Sequence, residues 1–268
     1  MQHVELNGLR IAYREAGPAR WPVLAILHGG CDDSRSWRWQ LDDLSDSYRV
    51  LAWDAPGCGR SDDPPESWRM AEFADAAAGW LAAIGVERAH VLGLSWGSSV
   101  ALAVADRHPS LVSSLILASA YAGWAGSLPA EEVEARLAGV IEWASAGPGQ
   151  PAGWPGLFGP PPPAELTREL SVVWADNDPS RRPQPSITMA RSMAEADLRP
   201  VLPRVRVPVL LLYGEGDGRS PLAVGRALHA AVPGATMSVI PGAGHVCNAE
   251  APDEFNLRVR AFLETAGP

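Results

Sequence analysis

Six short apolar runs punctuate this chain of 268 residues, at 23–27, 49–53, 90–94, 115–118, 209–213 and 236–240. Runs rich in Val, Leu and Ile, with little polar alternation, suit strands covered on both faces. Stretches with helical spacing lie among them, at 70–84, where Phe73, Ala77, Trp80, Leu81 and Ile84 share one face, and at 221–231 and 252–264. This alternation predicts an α/β fold with a doubly wound, mostly parallel sheet. Near the start, Asn7-Gly8 between 4–6 and 9–13 predicts a hairpin, because both residues tolerate the positive backbone angles of a two-residue turn.

The alternation lapses between 121 and 197. Two helical patches, 131–143 and 164–174, flank proline- and glycine-rich stretches at 147–151 and 160–163, and no strand is evident. A loop of that length inside a compact domain is improbable, so the segment reads as an inserted helical cap at 121–197, with the core at 1–120 and 198–268. Trp124, Trp143, Trp154 and Trp174 belong to it. They are candidates either to line a substrate pocket or to glue the insertion to the core.

An apolar content of 47% supports a large core, and a net charge of −9 with no lysine argues against a nucleic-acid partner. No cleavable leader pattern and no apolar run of membrane-spanning length is present, so the expected location is the cytoplasm, away from membranes. Cys31, Cys58 and Cys247 are too few and too scattered for a disulfide framework or a zinc cluster, and no cofactor or metal motif appears. Oligomeric state has no signature here.

The strand ending at Leu94 runs into Gly93-Leu94-Ser95-Trp96-Gly97, which has the form G-x-S-x-G and is followed by a small-residue helix from Val100 to Ala105. A residue held in strained geometry between strand and helix needs neighbours without bulk, and the strain pushes its hydroxyl into the open. Ser95 is therefore the candidate nucleophile. Asp217 and His245 each follow a predicted strand, so in a parallel sheet all three side chains converge at the carboxyl ends of the strands. Glu215, two residues before Asp217, is an alternative acid.

Four motifs in this order resemble those of the α/β-hydrolases that carry a helical cap: His28-Gly29-Gly30, the Asp54–Asp62 loop, the elbow at Gly93–Gly97, and Gly242-Ala243-Gly244-His245. The resemblance covers nearly all the chain outside the insertion and implies the α/β-hydrolase fold. It favours Asp217 over Glu215 as the acid. It also implies roles for the rest: Ser95 attacks, His245 takes and returns the proton, and Asp217 orients and stabilises the imidazole. The backbone N–H groups of Gly30 and Trp96 would form the oxyanion hole, with Cys31 as the alternative to Gly30. His28 would brace the oxyanion loop and Asp54 its own loop. His3, His90, His108 and His229 have no companion chemistry.

The expected activity is hydrolysis of a small carboxylic ester or lactone through an acyl-enzyme, as in esterase and enol-lactonase relatives. A proline-iminopeptidase-like aminopeptidase is the nearest alternative, although Cys31 interrupts the His-Gly-Gly-Pro-Gly expected of that group. Carbon-carbon bond hydrolases and perhydrolases use the same three residues, and the fold also supports non-catalytic ligand-binding proteins.

Overall fold

The apolar runs become strands. The computed structural model describes residues 1–147, 156–159 and 164–267. Its strands are β1 (Gln2–Leu6), β2 (Leu9–Ala16), β3 (Val23–Leu27), β4 (Arg49–Trp53), β5 (Ala89–Leu94), β6 (Val112–Ala118), β7 (Val209–Gly214) and β8 (Thr236–Ile240). Among the described residues they form one sheet in the order β1-β2-β4-β3-β5-β6-β7-β8. The first two pairings, β1 with β2 and β2 with β4, are antiparallel, and every later one is parallel. Asn7 and Gly8 turn the hairpin with φ of 51° and 83°.

β6 begins three residues before the apolar run that marks it. The added segment contains Ser113 and Ser114, and Ser114 Oγ lies 2.8 Å from Nδ1 of the buried His90 on β5. A polar pair satisfied across the sheet extends a strand that hydropathy alone would end.

Helices cover both faces. On one, α2 (Met70–Ala83) and α3 (Trp96–Arg107) pack Phe73, Trp80 and Val100 against Trp53 and Tyr13. On the other, α1 (Arg38–Leu44) and α9 (Pro252–Ala266) bring Leu41, Leu44, Phe255 and Val259 against Leu24, Ile26 and Trp37. Each such large side chain contributes about 1.5–3 kcal/mol when fully buried. α7 (Leu222–Ala231) and the short α8 (Cys247–Glu250) complete the order after β7 and β8.

Among the described residues, three α-helices stand between β6 and β7, α4 (Ala130–Ser145), α5 (Ala164–Asp176) and α6 (Pro183–Ala194), where the sequence suggested two. α6 escapes notice because Pro183 and Pro185 read as breaks. Pro183 occupies the first helical position, where a missing N–H costs nothing. Ser186, Met189, Ala190 and Met193 are then buried along the helix. Among the described residues, no helix is long and apolar enough to cross a membrane.

Parallel register sets the carboxyl ends side by side: Leu27 beside Gly93, Leu94 beside Ala118, Ala118 beside Leu212, and Gly214 beside Ile240. Whatever follows these residues shares one rim of the sheet.

Candidate active site

Ser95 leaves that rim with φ 53° and ψ −114°, a conformation that costs about 1–3 kcal/mol and persists only when its surroundings enforce it. The two glycines of the elbow are needed for space. A Cβ on Gly93 would stand 2.2 Å from the Gly97 carbonyl oxygen, and one on Gly97 would stand 2.2 Å from that of Leu27. Strand, turn and helix therefore meet backbone to backbone. Ser95 N–H donates to Ala118 O at 2.9 Å, and Trp96 opens α3, so its amide is among those a helix cannot pair internally.

The loop after β3 lies against the elbow: a Cβ added at Gly29 would stand 3.8 Å from Cβ of Ser95. His28 is fully buried, with Nδ1 2.7 Å from Gly29 O and Nε2 2.9 Å from Ala55 N. A carbonyl can only accept and an amide can only donate, so the ring is neutral with its proton on Nδ1. Burial lowers its pKa in the same sense. His28 is thus a brace holding the Gly29–Cys31 loop to the Asp54 loop. An added Cβ on Gly30 would lie 3.9 Å from Cβ of Trp96, so these two backbones converge beside Ser95. Cys31, the alternative donor, has φ 54° and lines the same cavity.

Asp54 is itself buried and committed: Oδ1 accepts from Ser34 N at 3.0 Å and Oδ2 from Arg60 N at 2.9 Å. The first contact ties this loop to the segment after β3 and the second closes the loop on itself, as expected of a structural carboxylate.

Asp217 and His245 are joined directly. His245 Nδ1 lies 2.9 Å from Oδ1 and 3.0 Å from Oδ2 of Asp217, and both side chains are almost wholly buried. Asp217 Oδ1 also accepts from the amides of Arg219 at 2.9 Å and Ser220 at 2.7 Å. Burial alone would raise this carboxyl. The charge and hydrogen bond of His245, with the Ser220 amide, outweigh burial and hold it below the usual carboxylate range. Glu215, the alternative acid, is exposed and accepts instead from Gly242 N at 3.2 Å.

Residues that sequence reasoning missed fix the His245 turn. Ser119 Oγ donates to His245 O at 2.8 Å, His245 N–H donates to Leu157 O at 2.7 Å, and Glu250 accepts from Gly244 N at 2.8 Å. Ser, Glu and a carbonyl at such distances in sequence leave no pattern to find.

Ser95 and His245 open on one cavity, whose empty space, counted out through its open mouth, is about 750 Å³. Among the described residues the Ser95 hydroxyl has no hydrogen-bond partner, a looseness common before substrate is bound. Trp124 and Trp174 line the cavity, with Val140, Leu157, Met189 and Met193. Trp143 does not. It is half-buried on α4, between the buried Val140 and Ala144 in sequence. Trp154 lies outside the described residues. Asp32, Ser186 and Arg219 add polar groups that the sequence did not single out.

Residues 24–258 match the family described as the alpha/beta hydrolase family. A putative carbamate hydrolase, RutD, from a Caulobacter species is 30% identical over 281 aligned residues covering 98% of each chain. Among solved structures, a thermophilic esterase from Thermogutta terrifontis, with malate bound, matches with a TM-score of 0.86 at 27% identity over all of both chains. The enol-lactonase from Burkholderia xenovorans shares the fold, with a TM-score of 0.80 at 24% identity over 98% of this chain and 100% of its own. Since the family match runs from β3 into α9 and takes in every element that carries the site, this chain belongs to the alpha/beta hydrolase family and is a hydrolase enzyme.

Proposed function

We propose that the enzyme is a serine hydrolase that cleaves a small carboxylic ester or lactone through an acyl-enzyme on Ser95. The observation that carries this reading is the buried Asp217–His245 pair opening, beside a strained serine, on one cavity. Ser95 Oγ attacks the carbonyl carbon as its proton passes to His245 Nε2, and the resulting imidazolium is stabilised by Asp217. The oxyanion is held by the N–H groups of Gly30 and Trp96, each such donor being worth about 10² to 10³ in rate. His245 then protonates the departing alkoxide, and water, activated by the same ring, releases the acid. A lactone follows the same course with its alcohol still tethered.

In this reading 121–197 is a cap, and α4, α5 and α6 supply the cavity wall opposite the sheet. Cys31 and Cys247 are no rival nucleophiles, because burial pushes both thiols up to about 12. The carbamate-hydrolase name borne by relatives points to a second substrate class that the same attack would serve.

A fluorophosphonate probe and a short p-nitrophenyl ester test the nucleophile together. The native enzyme takes the label and turns over the ester, and Ser95→Ala loses both, its turnover falling by about 10⁴-fold or more. Turnover and label retained in the variant would overturn the assignment.

A further inference from the structure

Each turn that carries Ser95, Asp217 or His245 is hydrogen-bonded to the segment between β6 and β7. Trp96 Nε1 donates to Ser192 Oγ at 3.0 Å, and His245 N–H donates to Leu157 O at 2.7 Å. The third contact is made by a charged group. Arg136, on α4 with its side chain only 15% exposed, donates from Nη2 to the Arg219 carbonyl at 2.8 Å. Its Nη1 donates to the Tyr121 hydroxyl at 3.0 Å, and Glu132 Oε1 accepts from Nη2 at 2.6 Å. The guanidinium also lies 5.7 Å from the ring centroids of both Tyr121 and Trp124. The Tyr121 hydroxyl in turn donates to the same Arg219 carbonyl, so two donors meet on one main-chain oxygen.

That oxygen belongs to the peptide unit joining Arg219 to Ser220. The unit is planar and trans, so its C=O and N–H point in opposite directions and turn together. The N–H end donates to Asp217 Oδ1 at 2.7 Å, and the same Oδ1 lies 2.9 Å from His245 Nδ1. A donor on the carbonyl end fixes the plane and, by polarising the amide, strengthens what the N–H gives to the carboxylate. An unbroken series of hydrogen bonds therefore runs from Arg136 through the 219–220 peptide and Asp217 to His245. Ser220 Oγ, which donates to Ala120 O at 2.9 Å, ties the far end of the turn to the segment after β6.

We propose that Arg136 is a positioning residue: from the inserted segment it orients the 219–220 peptide, and through it the carboxylate that orients His245. The proposal rests on the reading of Asp217 and His245 as acid and base given above. The segment 121–197 then contributes to the chemical step as well as to the cavity wall.

The test measures kcat and KM for p-nitrophenyl acetate, per site titrated with a fluorophosphonate. Arg136→Met keeps an apolar stem and removes every donor. Its kcat is expected to fall by about 10- to 100-fold, the size of one hydrogen bond to a charged group, with KM changed by less than about threefold. Arg136→Lys keeps a charged donor and is expected to fall between the native enzyme and Arg136→Met. Tyr121→Phe removes the second donor from the same carbonyl with little change of volume, and a fall of about 2- to 10-fold is expected. Glu169→Gln, which breaks the exposed pair between α5 and Arg38, leaves kcat as it is. A kcat for Arg136→Met within twofold of native, or a loss confined to KM, would overturn the proposal.

Proton NMR reads the same claim without turnover. The proton between His245 and Asp217 resonates far downfield in the native enzyme and is missing in Asp217→Asn. It shifts or broadens in Arg136→Met and stays in place in Glu169→Gln. An unmoved resonance in Arg136→Met would also overturn the proposal. If Asp217→Asn keeps its kcat, the acid and base reading falls, and the resonance alone decides whether Arg136 sets the Asp217–His245 contact. If Asp217→Asn loses kcat and Arg136→Met does not, that reading stands and positioning by Arg136 falls.

Discussion

The cavity has two sides built in different ways. On the sheet side, Ser95, Asp217 and His245 sit on turns that follow β5, β7 and β8, each pinned by backbone contacts such as Ser95 N to Ala118 O and His245 N to Leu157 O. On the other side, α4, α5 and α6 present Val140, Trp174 and Met189, held by packing and by ion pairs that include the half-exposed Arg38–Glu169 and Arg69–Glu195. Such surface pairs contribute at most about 1 kcal/mol each. A more deeply set joint exists where Asn177, just after α5, donates to Asp33 at 2.7 Å and accepts from Gly59 N at 2.7 Å. The difference is that the turns bearing Ser95, Asp217 and His245 are placed by backbone hydrogen bonds, and the wall above them by side-chain packing.

Substitution on the sheet side should therefore strike rate. Asp217→Asn removes the acceptor that fixes the His245 tautomer, and kcat is expected to fall by about 10⁴-fold while KM changes little. A fall of less than tenfold under steady-state assay would break the contrast between the two sides.

Asp32 lies at their junction, and its effect is on stability. It is buried, with Oδ2 2.6 Å from Ser36 Oγ and Oδ1 without a partner among the described residues. Because its folded pKa is raised, to about 8 from 3.8, its contribution is fully present below about pH 4 and is lost as pH rises through 8. Asp32→Asn keeps the shape without the ionisation. Its stability relative to the native enzyme is expected to grow across that window by a few kcal/mol, at about 1.4 kcal/mol per unit of displacement. Thermal melts of both proteins from pH 4 to pH 9 check this, and a difference that is flat with pH would contradict it.

The smallest effect belongs to the helical side. Trp174, half-buried with its ring centroid 5.8 Å from that of Phe158, lines the cavity far in sequence from the turns that carry Ser95, Asp217 and His245. Trp174→Ala is expected to raise KM several-fold by removing apolar contact area worth about 1–2 kcal/mol, with kcat held within a few-fold. Loss confined to kcat would show that this wall acts on the chemistry as well.

The same contrast explains what could be read from the residues. The strand positions, the elbow at Gly93–Gly97 and the turns that carry Asp217 and His245 follow from local demands: branched apolar runs, glycines where backbones touch, turns at strand ends. α6 could not be read, since Pro183 and Pro185 signal a break unless the helix start is already known. Trp143 and Trp174 look alike as residues, and only the tertiary placement of α4 and α5 separates the one that lines the cavity from the one that does not. Arg219 and Asp32 bear no pattern at all. Their meaning comes from burial and from partners such as Arg136 and Ser36, which are remote in the chain or uninformative in it.

The central claim is that a covalent acyl-enzyme forms on Ser95. Rapid acid quench of the native enzyme with p-nitrophenyl acetate, followed by intact-mass measurement and peptide mapping, tests it most directly. The expected result is one acetyl group on the peptide that contains Ser95, and none in Ser95→Ala. Steady turnover by the native enzyme with no adduct, or an adduct mapped to another residue such as Cys31, would contradict it.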